Sequence, residues 1–117
     1  MSSEDKELVG AATDLLILAC LAQKPSYGYE IVKNANERSG SVFKWQEGTL
    51  YPVLHKLERD ELVRAQWQIA DTGRRRRYYY ITAKGRAALG EKSAKWKALH
   101  RMLLDLMGPE MQADETP

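Results

Sequence analysis

Apolar residues recur every three or four positions in the first part of the chain, which is the spacing of amphipathic helices. The first such stretch spans residues 4–22, and its predicted inward stripe is Leu8, Ala12, Leu15, Ala19 and Ala22. Lys24-Pro25 ends this helix, because the residue before a proline avoids helical backbone angles. A second helix is predicted over residues 27–38, with Ser26 as its N-cap and an inward stripe of Tyr27, Ile31 and Ala35.

A third helix and a hairpin follow. Residues 46–60 place four apolar residues on one side of a helix: Leu50, Val53, Leu54 and Leu57. The period then changes, because residues 62–67 and 77–82 are rich in aromatic and branched side chains and predict two β-strands. The intervening residues 68–76 contain Gly73 as a turn signal, so we expect a hairpin with an arginine-rich loop.

The last helix is predicted over residues 83–107, with Thr82 as its cap and Gly108-Pro109 as its end. Three helices, a hairpin and a further helix are the order of elements in a winged helix-turn-helix protein. The predicted fold class is therefore mainly α with a small β-hairpin. The predicted organisation is a winged helix-turn-helix DNA-binding domain at 1–82, a C-terminal dimerisation helix at 83–108 and a disordered tail at 109–117.

Positive charge is concentrated in the middle of the chain. Residues 44–86 carry ten Lys and Arg against five Asp and Glu, whereas residues 1–43 and 87–117 are net negative by two and by one. The run Arg74-Arg75-Arg76-Arg77 is unbroken, and adjacent guanidinium groups repel one another unless an anion screens them. The run therefore indicates a polyanionic partner, with a solvated basic loop as the alternative interpretation.

The outward side chains of the third helix are hydrogen-bonding groups that suit contacts with double-stranded DNA. The candidate DNA-binding residues are Gln46, Thr49, Tyr51, His55, Lys56, Arg74, Arg75, Arg76 and Arg77. Gln46 and Thr49 lie near the start of the helix and are expected to reach base edges, whereas Lys56 and the arginines are expected to contact phosphates. The alternative is an ordinary solvated helix face.

Five apolar residues of the last helix recur at heptad spacing: Leu89, Trp96, Leu99, Leu103 and Leu106. This seam predicts a homodimer, whose twofold axis would set two recognition helices about 34 Å apart on a pseudo-palindromic duplex. Trp96 has two interpretations. It lines a slot between the two subunits for a planar aromatic or cationic molecule, or it simply packs the interface.

The residues that catalysis or metal binding would require are scattered. Cys20 is the only cysteine and lies in an apolar run, which excludes an intrachain disulfide and a cysteine-rich metal site. His55 and His100 fall on different helices, and no nucleophile with a neighbouring base is evident. We therefore expect no enzyme activity, no metal and no cofactor. The apolar run is too short to span a membrane and the acidic start lacks a signal-peptide pattern, which predicts a cytoplasmic protein.

Several motifs occur in order between about residues 8 and 90. They are Tyr27-Gly28-Tyr29-Glu30-Ile31, Glu47-Gly48-Thr49-Leu50-Tyr51-Pro52, Leu54, Leu57-Glu58, Trp67, Gly73-Arg74, Tyr78-Tyr79, Thr82 and Gly85. Together they resemble the PadR family of bacterial transcriptional regulators. The resemblance implies a homodimeric winged-helix repressor on an inverted-repeat operator, with Thr49, Tyr51 and the arginines around Gly73 contacting DNA. It also implies the shorter branch of the family, in which some members bind planar aromatic or cationic compounds between the subunits.

The chain departs from the family pattern at two places, since Glu61 stands where glycine is frequent and Arg75 where proline is usual. A second hypothesis belongs to a different class: a winged-helix protein–protein interaction module whose Arg74 to Arg77 dock an acidic partner. A third hypothesis, nonspecific nucleic-acid binding without an effector, lies between these two. The repressor and the interaction module differ in selectivity and in salt dependence. A repressor binds its palindromic duplex far more tightly than random DNA, and its affinity falls steeply as salt rises.

Overall fold

The computed structural model describes residues 3–40 and 44–114 of the 117-residue chain. Within them the elements are, in order, α1 (Ser3–Gln23), β1 (Ser26–Tyr27), α2 (Gly28–Arg38), α3 (Glu47–Arg59), β2 (Val63–Ile69), β3 (Arg75–Ile81) and α4 (Ala83–Asp114). The three strands form one antiparallel sheet in the order β1-β3-β2. The predicted fold class, mainly α with a small hairpin, is confirmed.

The buried face of α1 differs from the predicted stripe. The residues that α1 buries in the core are Val9, Thr13, Ile17, Leu18 and Leu21. Leu8, which was expected to face inward, is 52% exposed, and the neighbouring Leu16 is 40% exposed. The reason is Thr13, whose hydroxyl donates to the Val9 carbonyl at 2.6 Å and is thereby satisfied inside the core. Because Thr13 is polar, a count of apolar positions does not identify the stripe that contains it as the buried face of α1.

The start of α2 is also different from the prediction. Ser26 does not cap the helix but lies in β1, where it pairs with Tyr79 of β3. Tyr27 is the N-cap, and its N–H donates to Oε1 of Glu30 at 3.3 Å. The sequence did not predict β1, because a two-residue strand carries no alternation of its own. Strand β1 connects the start of α2 to β3, the middle strand of the sheet.

The hairpin loop is shorter than predicted. Strand β2 ends at Ile69, and strand β3 begins at Arg75. The turn between them closes with a hydrogen bond from the Ala70 N–H to the Arg74 carbonyl at 2.8 Å. The prediction that Arg75 and Arg76 lie in the loop is therefore wrong, since both belong to β3, whereas Arg77 lies in the strand as predicted. Antiparallel pairing with Ile69, Gln68 and Trp67 of β2 holds Arg75, Arg76 and Arg77 in extended geometry.

Helix α4 begins as predicted, because the Thr82 hydroxyl accepts a hydrogen bond from the Gly85 N–H at 3.0 Å. Gly85 also packs against the Leu62 carbonyl so closely that a Cβ would collide with it. The regular helix breaks at Gly108 (φ 77°), but helical geometry resumes at Pro109 and continues to Asp114. This differs from the predicted disordered tail at 109–117, and the reason is that proline is pre-organised for the first turn of a helix. Residues 115–117 lie outside the described residues.

Candidate nucleic-acid interface

A groove of about 670 Å³ separates α3 from the hairpin formed by β2 and β3, which we call the wing. Two of the predicted residues on α3, Tyr51 and His55, line it on one side. The four arginines at 74–77 line it on the other side. The fold therefore brings six of the nine predicted DNA-binding residues to one surface, although the two on α3 lie 19 to 26 positions from the four in the wing.

Three wing arginines lie over aromatic rings. The guanidinium carbon of Arg75 is 4.8 Å from the ring centroid of Trp67, and that of Arg76 is 4.4 Å from the ring centroid of Tyr27. Arg77 lies farther from its ring, at 5.7 Å from Tyr79. Stacking on an aromatic face restrains the guanidinium plane while leaving its N–H donors available. The groove thus offers oriented cationic donors, which suit phosphate oxygens.

Tyr51 is held close to the start of α2. A Cβ built on Gly28 would lie 2.5 Å from the Tyr51 hydroxyl oxygen, so the ring occupies space that only glycine leaves open. Burial and, to a smaller extent, the Glu47 carboxylate raise the pKa of the Tyr51 hydroxyl above its ordinary value. The hydroxyl therefore keeps its proton at neutral pH and is able to donate a hydrogen bond into the groove.

The remaining predicted residues of α3 lie outside the groove lining. Gln46, the N-cap, is exposed, as are Thr49 and Lys56. Thr49 and Lys56 are seven residues apart, so they occupy one line along the helix, about 150° around the axis from the line that carries Tyr51. The structure therefore divides the predicted α3 residues into a row facing the wing and a second, outer row.

Arg77 differs from the other wing arginines, because its Nη2 lies 2.8 Å from Oε2 and 3.2 Å from Oε1 of Glu58 in the last turn of α3. In the described part of the chain, Arg74, Arg75 and Arg76 form no ion pair with a carboxylate. Burial raises the pKa of the neighbouring Tyr79 hydroxyl, and the Arg77 charge opposes that rise. The predicted phosphate contacts of Arg74 to Arg76 are thus unobstructed, whereas Arg77 is already engaged.

The candidate residues named from the sequence did not include the aromatic side chains that complete the groove, Tyr27, Tyr29 and Trp67, or the carboxylate of Glu58. The wing itself contained a usable signal: arginine and aromatic residues on two paired strands are cross-strand neighbours, and the structure pairs Trp67 with Arg77. Glu58 also had a signal, since a carboxylate in the last turn of a helix opposes the helix dipole and indicates a partner elsewhere.

The predicted dimerisation residues on α4 divide into two groups. Leu89 packs against the core of its own chain. Leu99, Leu103 and Leu106 are more than half exposed, and Met102 joins them. Trp96 is partly exposed and forms a shallow hollow of about 430 Å³ with the cationic side chains of Lys97 and Arg101 and with His100.

Other chemistry is sparse in the described residues. None of their helices is long and apolar enough to cross a membrane. Across the same residues, no three side chains of His, Cys, Asp or Glu approach closely enough to hold a metal ion. Burial raises the pKa of the Cys20 thiol, which keeps it in the unreactive protonated form.

Comparison with known proteins gives concordant results. The sequence profile of the transcriptional regulator PadR-like family matches residues 17–91. Transcriptional regulator Rv3488 of Mycobacterium tuberculosis is 37% identical over 99 residues, which cover 85% of this chain and 89% of that protein. A transcriptional regulator structure from Clostridium thermocellum has a TM-score of 0.76 at 29% identity, covering 88% of this chain and 94% of that one. A PadR-like transcriptional regulator structure from Bacillus cereus has a TM-score of 0.77 at 26% identity, with coverages of 86% and 96%.

Proposed function

Because the chain belongs to the PadR-like family of transcriptional regulators, we propose that it is a homodimeric repressor that binds a pseudo-palindromic operator in double-stranded DNA. Members of this family are transcriptional regulators rather than enzymes. The observation that carries the proposal is the groove between α3 and the wing, where the stacked arginines Arg75 and Arg76 face Tyr51 and His55.

The two rows on α3 have different roles in this proposal. Thr49 and Gln46 read base edges in the major groove, and Lys56 contacts a phosphate beside them. Tyr51 and His55 donate hydrogen bonds to the DNA phosphate backbone on the side that faces the wing. Arg74, Arg75 and Arg76 neutralise phosphates along the flanking backbone, which supplies most of the salt-dependent affinity.

The dimer is supported by two apolar surfaces that one chain leaves uncovered. Leu99, Leu103 and Leu106 form a line on α4, and Leu8 and Leu16 are exposed on α1. Packing such surfaces about a twofold axis removes them from water and places two copies of α3 on successive major grooves, about 34 Å apart. The predicted inverted repeat follows from that symmetry.

We also propose that a planar aromatic molecule at Trp96 releases the repressor from DNA. The support is a partly exposed indole at the edge of the apolar line on α4, where a second copy would bring a second indole. Lys97 and Arg101 beside the indole add a condition on charge, because they attract an anionic aromatic and repel a cationic one.

Salt-dependent binding to DNA tests the proposed function. We expect the affinity for a duplex, measured by fluorescence anisotropy at a series of salt concentrations, to fall steeply as salt rises. Arg76→Ala should flatten the slope of log K against log salt by about one unit. Lys95→Ala removes the same charge from α4 and is the matched control, with no expected change in slope. Salt-insensitive binding, or equal affinity for polyglutamate and DNA, would instead favour the protein–protein module.

A further inference from the structure

The ion pair between Glu58 and Arg77 joins the recognition helix to the wing. Glu58 lies in the last turn of α3, and Arg77 lies near the centre of β3. One guanidinium nitrogen of Arg77 is within 3.2 Å of both carboxylate oxygens of Glu58. The Glu58 side chain is 31% exposed and the Arg77 side chain is 37% exposed, so the ion pair that joins the two elements lies at the edge of the core.

Stability alone does not account for this pair. A partly exposed ion pair contributes about 1 kcal/mol or less to folding. A carboxylate in the last turn of a helix is also disfavoured by the partial negative charge of the helix C-terminus. Within the wing, the pair even removes one guanidinium from the cationic surface. An effect on the geometry of the DNA-binding surface is a better explanation of its presence.

The anchor on the wing side is rigid. Arg77 lies beside Tyr79, which is 1% exposed and is the middle residue of the sheet, paired with Ser26 of β1 and Ala65 of β2. Beyond Arg77 the hairpin projects away from the core to its turn at Gly73. The pair therefore connects the end of α3 to the last well-anchored point of the wing.

We propose that the Glu58–Arg77 ion pair sets the separation between α3 and the wing, which makes Glu58 a positioning residue for operator recognition. The proposal rests on the proposed function. Base contacts from α3 and phosphate contacts from the wing must be made simultaneously on the operator, so a fixed separation favours one register. On random DNA the same contacts are made loosely, and a free wing binds equally well or better because Arg77 becomes available to phosphates.

The experiment compares Kd values for the operator, identified by selection from a random duplex library, and for a scrambled duplex at one salt concentration. Glu58→Gln should lower the ratio of scrambled to operator Kd by about tenfold, equivalent to 1.4 kcal/mol. Asp60→Asn is the matched control, since it removes a charge from the same end of α3 without touching Arg77. Its affinity for both duplexes should shift equally, leaving the ratio unchanged.

Glu58→Asp separates geometry from charge. It keeps the carboxylate but shortens its reach by one methylene, so we expect a loss of discrimination with an unchanged salt slope. Thermal unfolding of each variant checks that the fold is retained. If Glu58→Gln and Glu58→Asp both keep the wild-type ratio, the positioning role is wrong. If the wild-type protein selects no operator at all, the proposed function itself fails. That result is distinct from failure of the positioning role, in which the wild-type protein selects an operator and both variants discriminate it equally well.

Discussion

Two surfaces of this chain contrast in chemistry. The groove between α3 and the wing is lined by arginines stacked on aromatic rings, and most of its lining residues belong to residues 44–86, which carry a net charge of +5. The surface formed by α1 and α4 instead exposes leucines, with Leu106 78% exposed. Ordered guanidinium groups suit a polyanion, whereas an apolar line suits a second apolar surface. Under the proposed function, each surface therefore has its own partner: DNA for the groove and a second copy of the chain for the apolar line.

This separation means that each surface can be disabled by itself. A change on α4 should alter assembly and affect DNA only through the loss of the second half-site. A change on α3 or the wing should alter DNA binding and leave assembly intact. The following variants test that independence.

The largest effect is expected from Leu103→Asp. Dimerisation would bury an unpaired carboxylate at the centre of the apolar line, which is costly in free energy, so the variant should be a monomer. Its operator affinity should fall by about a hundredfold or more, because one half-site no longer assists the other. Sedimentation velocity measures the assembly state, and Leu103→Met, which keeps the apolar volume, is the control. A Leu103→Asp variant that still sediments as a dimer would place the interface elsewhere.

Thr49→Ala tests base reading by the outer row of α3. We expect the operator to lose about 1–3 kcal/mol of binding free energy, while random DNA is bound almost as before. Lys56→Ala provides the comparison, since a phosphate contact should weaken both duplexes alike. Equal losses on both duplexes for Thr49→Ala would remove Thr49 from the base-reading residues. Both variants should remain dimers.

Trp96 tests whether the apolar surface also binds a ligand. Trp45 is buried and Trp67 is exposed. In a Trp67→Phe background, the quenching of tryptophan fluorescence by planar dyes therefore reports mainly on Trp96. Trp96→Phe should weaken dye binding by about fivefold, because the loss of indole stacking is worth about 1 kcal/mol. Dye affinity is best followed by the dye's own anisotropy. An unchanged affinity in the Trp96→Phe variant would leave Trp96 as interface packing only.

A smaller effect is expected from Glu61→Gly, outside both surfaces. Glu61 has φ 62° at the end of α3, where the Leu62 N–H donates to the Leu57 carbonyl at 2.9 Å. Glycine adopts this backbone without strain, so the free energy of unfolding in urea should rise by about 0.5–1 kcal/mol. Asp60→Gly is the control, because Asp60 has φ −82° and glycine there should destabilise. Stabilisation by both substitutions would contradict this explanation.

The order of elements was predictable because each helix and strand has its own periodicity. Leu50, Leu54 and Leu57 are buried on α3 as their spacing predicts. The inward face of α1 was not predictable from apolar residues, because Thr13 satisfies its hydroxyl within the helix. The strand character of Arg75 and Arg76 was also concealed, since it depends on their pairing with Ile69 and Gln68 across the hairpin.

The candidate site shows the same division between local and long-range information. Tyr51, His55 and the arginines were identified from residue type and from the predicted helix and hairpin. Their meeting in one groove depends on β1, which brings Tyr27 beside Tyr78 of the wing at 5.4 Å between ring centroids. The Glu58–Arg77 ion pair joins residues 19 positions apart, and the spacing of apolar residues contains no information about such a contact.

Selection of bound duplexes from a random library, with purified protein at near-physiological salt, tests the central claim most directly. A homodimeric regulator with its groove on DNA should enrich an inverted repeat whose half-sites are centred about 34 Å apart, one turn of the duplex. Failure to enrich any sequence, with binding that depends only on duplex length and salt, would contradict the claim and indicate a nonspecific nucleic-acid or acidic-protein partner.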